Sequence, residues 1–203
     1  MKNLLAATAL SLLLAACGGG ADAGDNSAAG AAANLTTKPS GDDPAMNTDV
    51  MMNGAVAQTP VTAPEFVNQA AASDQFEIKS SQLAATKSAS PAIKAYAAML
   101  IAEHTKSTND LTAAAAAGTP AITPSPTMTA EQQANLNALD KAPKGAAFDK
   151  LYAQLQVPSH QNTLALLQGY AVRGDQPMLK TYASKMVPVV QKHLTEAQGM
   201  AAQ

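Results

Sequence analysis

Long helical stretches, each opened by its own capping signal, constrain this chain most. Thr62-Ala63-Pro64-Glu65 reads as a capping box with a proline in the first turn, and it opens a helix that runs to about Lys87. Ser90-Pro91 opens a second helix, with serine as cap and proline as first helical residue, which runs to about Ala117 and stops at Gly118. Pro120, Pro124 and Pro126 then force a loop. Thr129 with Glu131 and Gln132 caps a short helix, interrupted near Pro143 and Gly145. A third long helix spans about 146–172, ends at the turn Arg173-Gly174-Asp175, and is followed from Pro177 by a fourth that reaches about Ala197. No strand-like alternation of β-branched and polar residues runs through the chain. The expectation is all-α: an antiparallel four-helix bundle joined mostly by short turns, with a short extra helix between its second and third members. Pro158 and Pro188 fall inside helices and predict kinks.

The part before Thr62 reads differently. Lys2, the apolar run from Leu4 to Leu14, and Leu14-Ala15-Ala16-Cys17-Gly18 have the order of an export signal with small residues at its cut. The apolar run is too short to span a bilayer as a helix, which needs about 20 residues. The pattern is similar to the signals read by the lipoprotein-specific signal peptidase. That similarity implies lipid on Cys17 (diacylglycerol and an amide-linked acyl chain such as palmitate) and removal of residues 1–16. Several acyl chains together hold a protein stably on a membrane where one does not. Cys17 is the single cysteine in 203 residues and has no disulfide partner within the chain. Gly18 stands where an aspartate would resemble the inner-membrane retention signal. The expected location is therefore the cell envelope, on the outer membrane facing the periplasm.

Residues 17–61 read as the lipidated cysteine and a tether. Gly18-Gly19-Gly20 is followed by Ala, Asp, Asn, Ser and Thr with too few large apolar side chains to bury. Five aspartates, Asp22, Asp25, Asp42, Asp43 and Asp49, face Lys38 alone. A coil of ~44 residues has an r.m.s. span of roughly 35–40 Å, enough to hold a domain clear of head groups. Met46, Met51 and Met52 lie here without regular spacing. Residues 62–203 form the bundle domain, nearly balanced in charge, so no nucleic-acid partner is expected. The expected partner is membrane lipid.

The domain contains three histidines, one on the apolar stripe of each of three long helices. In the second helix the stripe is Ile93, Ala97, Leu100, His104, Leu111. The third long helix gives Ala153, Val157, His160, Leu164, Leu167, Ala171, and the fourth gives Leu179, Tyr182, Met186, Val190, His193, Ala197. The first contributes Glu77 on Phe66, Ala70, Ser73, Glu77 and Leu83 or Ala84. Neutral imidazoles with one carboxylate suit Zn, Cu, Fe or Ni. The competing reading is a set of core histidines satisfied by Tyr96, Tyr152, Tyr170, Tyr182 or Glu77.

Several segments resemble a bacterial family of exported, predicted outer-membrane proteins: a domain of unknown function with a ferritin-like four-helix bundle. They are Phe66-Val67 through Glu77 and Leu83-Ala84, Ile93–Ala97 with Glu103-His104-Thr105, Ala147-Phe148-Asp149 with His160, and Leu179-Lys180 with His193-Leu194. The resemblance covers roughly residues 63–200 and implies the bundle and an envelope location, with His104, His160 and His193 as candidates. It implies no established activity. A di-iron centre of the ferritin type needs Glu-x-x-His pairs, and here the residues three before each histidine are Ile101, Val157 and Val190. Inward carboxylates read as limited to Glu77, since Glu103 adjoins His104 but points about 100° away. Phosphate loops, Cys-His pairs and nucleophile elbows are missing from the sequence. The leading expectation is a non-catalytic, lipid-anchored envelope protein with no cofactor, in an interaction or stress role. The alternative is a periplasmic metal-binding bundle built on Glu77, His104, His160 and His193.

Overall fold

The computed structural model describes residues 61–202, and these are helical without a strand. The export signal, Cys17, the tether and its methionines lie outside the described residues. Five helices follow in order: α1 Ala63–Lys87, α2 Pro91–Ala116, α3 Ala130–Lys141, α4 Ala146–Arg173 and α5 Pro177–Ala201. The capping signals act where the sequence places them. The Glu65 carboxylate accepts from the Thr62 backbone N–H at 2.9 Å and from its hydroxyl at 2.7 Å. Ser90 Oγ accepts from the Ile93 N–H, and Thr129 exchanges bonds with Gln132. Each bond satisfies a donor that the first helical turn leaves without a partner.

α1, α2, α5 and α4 form a ring in which each packs against the next. Two apolar clusters reveal the helix directions. One joins Ala63 and Phe66 of α1 with Leu111 of α2, Tyr170 of α4 and Leu179 of α5. The other joins Ala84, Ile93, Phe148 and Ala197 from the opposite ends of the same helices. Ring neighbours are therefore antiparallel, while α2 and α4, across the diagonal, run parallel. The connection between them must travel the length of the bundle, and α3 carries it along the α1–α4 side. One long crossover of this kind is the topology of ferritin-like bundles. Lys87 at the end of α1 secures it, with Nζ donating to the carbonyls of Leu139, Asp140 and Ala142.

Two glycines serve different needs. At Gly118 a Cβ would lie 1.9 Å from Gln176 Oε1. This glycine therefore makes room for the Gln176 side chain at the start of α5, whereas a left-handed helix stop would need a positive φ. Gly145, before α4, has φ 97° and ψ −147°, a region nearly closed to other residues. Gly145→Ala should cost about 1–3 kcal/mol in urea unfolding although no atom lies within 4 Å of the new Cβ. Pro158 and Pro188 sit within unbroken α4 and α5. Both are exposed, as are Gln154 and Ser184, the residues whose carbonyls lose the proline N–H as a donor.

A candidate metal centre between two apolar clusters

Between the two clusters the bundle buries a polar layer. It holds Asp74, Glu77, Ser80 and Ser81 from α1, His104 and Ser107 from α2, Gln156, His160 and Thr163 from α4, and His193 from α5. The three imidazoles are at most 2% exposed. Their ring centroids lie 5.9 Å (His104–His160), 5.3 Å (His104–His193) and 5.4 Å (His160–His193) apart. One ligand nitrogen from each falls within 4.8 Å of the others.

Each imidazole is held from behind. His104 Nδ1 donates to Asp74 Oδ1 at 2.8 Å, and Thr108 Oγ1 donates to Oδ2 of the same carboxylate at 3.1 Å. His160 Nδ1 donates to the Gln156 carbonyl at 2.9 Å. His193 Nε2 donates to Glu103 Oε2 at 2.7 Å. A carboxylate or carbonyl only accepts, so these partners place the proton and leave the other ring nitrogen with a free lone pair. Those other nitrogens, Nε2 of His104, Nε2 of His160 and Nδ1 of His193, are all buried and make no hydrogen bond. Metal-bound histidines are oriented in this way by carboxylates and carbonyls behind them. The tyrosines are committed elsewhere: Tyr96 donates to the His193 carbonyl, Tyr152 pairs with Ser81, Tyr182 with Ser107, and Tyr170 with Asp175. None of them satisfies an imidazole nitrogen.

Glu77 is 1% exposed but stands outside the triad of nitrogens. Its Oε1 accepts from Ser159 Oγ at 2.5 Å and lies 3.9 Å from His160 Nδ1, the nitrogen already bonded to Gln156. Its Oε2 has no hydrogen-bond partner. Inward carboxylates are not limited to Glu77, contrary to the sequence expectation. Asp74 is buried one position along from Ser73, which the stripe had placed inward. Glu103 does turn away from His104, but the direction it takes leads to His193 on α5.

The electrostatics favour a cation. Asp74, Glu77 and Glu103 surround the imidazoles, and the ion-pair partners they have within 4 Å are histidines. Burial alone would push the His104 pKa down, but the Asp74 hydrogen bond and charge, helped by Glu77 and Glu103, outweigh it and raise the pKa. His193 is pushed down to about 4 by burial and by its two imidazole neighbours, against the opposing Glu103 bond. The layer thus gathers three carboxylates, two of them buried, around three imidazoles that each keep one ring nitrogen without a hydrogen-bond partner. A metal bonded to nitrogen at about 2.0–2.1 Å would need each ring to shift by roughly an ångström or less. The residues present fit such an ion.

The chain belongs to the DUF4142 family, a domain of unknown function, whose family model matches residues 48–200. No curated protein matches it. Similar solved structures include CopM in its Cu(II)-bound form, with TM-score 0.61 and 15% identity over 71% of this chain and 98% of that one. CopM in the Cu(I)-bound form gives TM-score 0.56 and 16% identity over 68% and 94% of the two chains. The Ag-bound form, obtained by co-crystallization, gives TM-score 0.56 and 14% identity over 68% and 93%. At these identities the likeness shows a shared fold.

Proposed function

We propose that this DUF4142 domain binds a soft or borderline transition-metal ion, copper or silver above others, through Nε2 of His104, Nε2 of His160 and Nδ1 of His193. One observation carries the reading: three buried imidazoles bring a ligand nitrogen each within 4.8 Å of the others, and each ring is hydrogen-bonded through one nitrogen while the other has no partner. A buried polar atom without a partner costs about 1–3 kcal/mol, so three in one place call for a ligand. Imidazole suits copper, zinc, iron and nickel in general. The solved forms of CopM, with Cu(II), Cu(I) and Ag, support copper and silver within that range. This reverses the order expected from sequence, in which a role without metal came first.

Asp74 and Glu103 would raise the basicity of His104 and His193 and balance the charge of the ion, and the Gln156 carbonyl would fix the His160 tautomer. Glu77 would add negative charge from behind His160. We also infer that Cys17 carries the lipid anchor and that the domain works in the cell envelope. A Cys17→Ser variant should leave the membrane fraction, and a wild-type protein found soluble after export would refute the anchor. Among the described residues no helix is long and apolar enough to cross a membrane.

The metal reading is tested by competing the protein against a Cu(I) chelator of known affinity. One ion per chain is expected for the wild type. His160→Ala should weaken binding by about a hundredfold or more, the scale on which even outer-shell changes cost 10–100-fold. Equal binding by both proteins would reject the site.

A further inference from the structure

His104, His160, His193, Asp74 and Glu77 all lie under the surface, so an ion bound there must be let in. Among the residues that touch the imidazoles through hydrogen bonds or ion pairs, Glu103 is the exposed one. Its side chain is 37% exposed, against 5% for Asp74 and 1% for Glu77. It lies on the seam between α2 and α5, where it meets His193. Met99 is one helical turn before Glu103 on the same face of α2. Its Sδ is 3.9 Å from Lys192 Nζ, on the residue adjoining His193. Met99 also lines an open surface groove of about 470 Å³ with Tyr96, Glu196 and Met200. Tyr96 ties that groove to the centre, since its hydroxyl donates to the His193 carbonyl at 3.0 Å.

We propose that the ion reaches the histidines across the α2–α5 seam, received by the Met99 thioether and the Glu103 carboxylate and passed to His193. The inference rests on the metal reading above and adds a route and two residues to it. Thioethers favour Cu(I) and similar soft cations, and a carboxylate at the mouth of a buried site raises the local cation concentration. Opening the way requires Glu103 to leave His193 Nε2, so that the freed ring can turn its unpartnered Nδ1 toward the ion, and requires Lys192 to leave the Met99 sulfur; both side chains are partly in water, Glu103 37% and Lys192 61% exposed. Another way in would pass a polar cleft of about 380 Å³ between α1, α3 and α4, where Ser159 bonds Glu77. That path meets a second, fully buried carboxylate before any imidazole.

Stopped-flow loading of the protein from a coloured Cu(I) chelator separates the routes, with rates of uptake and of loss measured for each variant. Glu103→Gln keeps an acceptor for His193 and removes the charge; Met99→Leu keeps the volume and removes the sulfur. Uptake should slow about tenfold in Glu103→Gln, within the range of charge steering, and by a smaller factor in Met99→Leu. Ser159→Ala should load at the wild-type rate. A merely structural role for Glu103 would instead speed metal loss and leave uptake unchanged. Wild-type uptake rates in both Glu103→Gln and Met99→Leu, or slowing confined to Ser159→Ala, would overturn the route and leave the site standing. Failure of the wild type to take up Cu(I) at all would overturn both.

Discussion

Loading the histidine layer should raise the unfolding free energy by about 4 kcal/mol when free metal stands a thousandfold above the dissociation constant. The ion binds a site that exists when the helices are packed, so its binding energy becomes folding energy. His160→Leu should remove this gain. The same variant, without metal, is the sharper comparison. His160 Nε2 is buried without a partner, and leucine replaces that orphan with apolar volume. Metal-free His160→Leu should therefore be about as stable as the wild type or more so, because an unsatisfied buried group costs about 1–3 kcal/mol. A satisfied core histidine would behave oppositely, losing stability with or without metal. Thermal unfolding of both proteins with and without Cu(I) or Ag(I) gives all four values.

Phe66→Ala should remove about 3–5 kcal/mol, the range for deleting a buried aromatic side chain. Phe66 is fully buried in the first apolar cluster. Its ring stacks on Tyr170 at 3.9 Å with planes 14° apart and meets Tyr182 edge-on at 6.2 Å. α1, α4 and α5 are thus joined through one side chain, and the chain has only three phenylalanines and no tryptophan to share the task. Against a typical total of about 5–15 kcal/mol, such a loss leaves the domain close to unfolding. Urea unfolding followed by circular dichroism would register it, and a loss under about 1 kcal/mol would contradict this packing.

Helix limits were legible because their signals are local. Thr62 with Glu65, Ser90-Pro91, Thr129 with Gln132, and Pro177 each act within one turn, and α1, α2 and α4 end within a residue of the expected positions, while α3 stops at Lys141 before Pro143 and α5 runs past the expected Ala197 to Ala201. The three histidines were legible for a related reason, since each lies on the apolar stripe of its own helix. Their common level was not. It depends on the crossover through α3, which makes α2 and α4 parallel and brings mid-helix His104 beside His193 near the far end of α5. Helix pairing of this kind leaves no period in the sequence. Asp74 was missed because a stripe read one residue off put Ser73 inside. Glu103 was missed because the 100° step away from His104 says nothing about which helix lies in that direction.

X-ray absorption at the copper edge of the copper-loaded domain tests the metal centre most directly. Three imidazole ligands predict nitrogen scatterers at about 2.0–2.1 Å with the outer-ring scattering that imidazole gives. A first shell dominated by sulfur at about 2.3 Å, or by oxygen without imidazole features, would contradict a centre built from His104, His160 and His193.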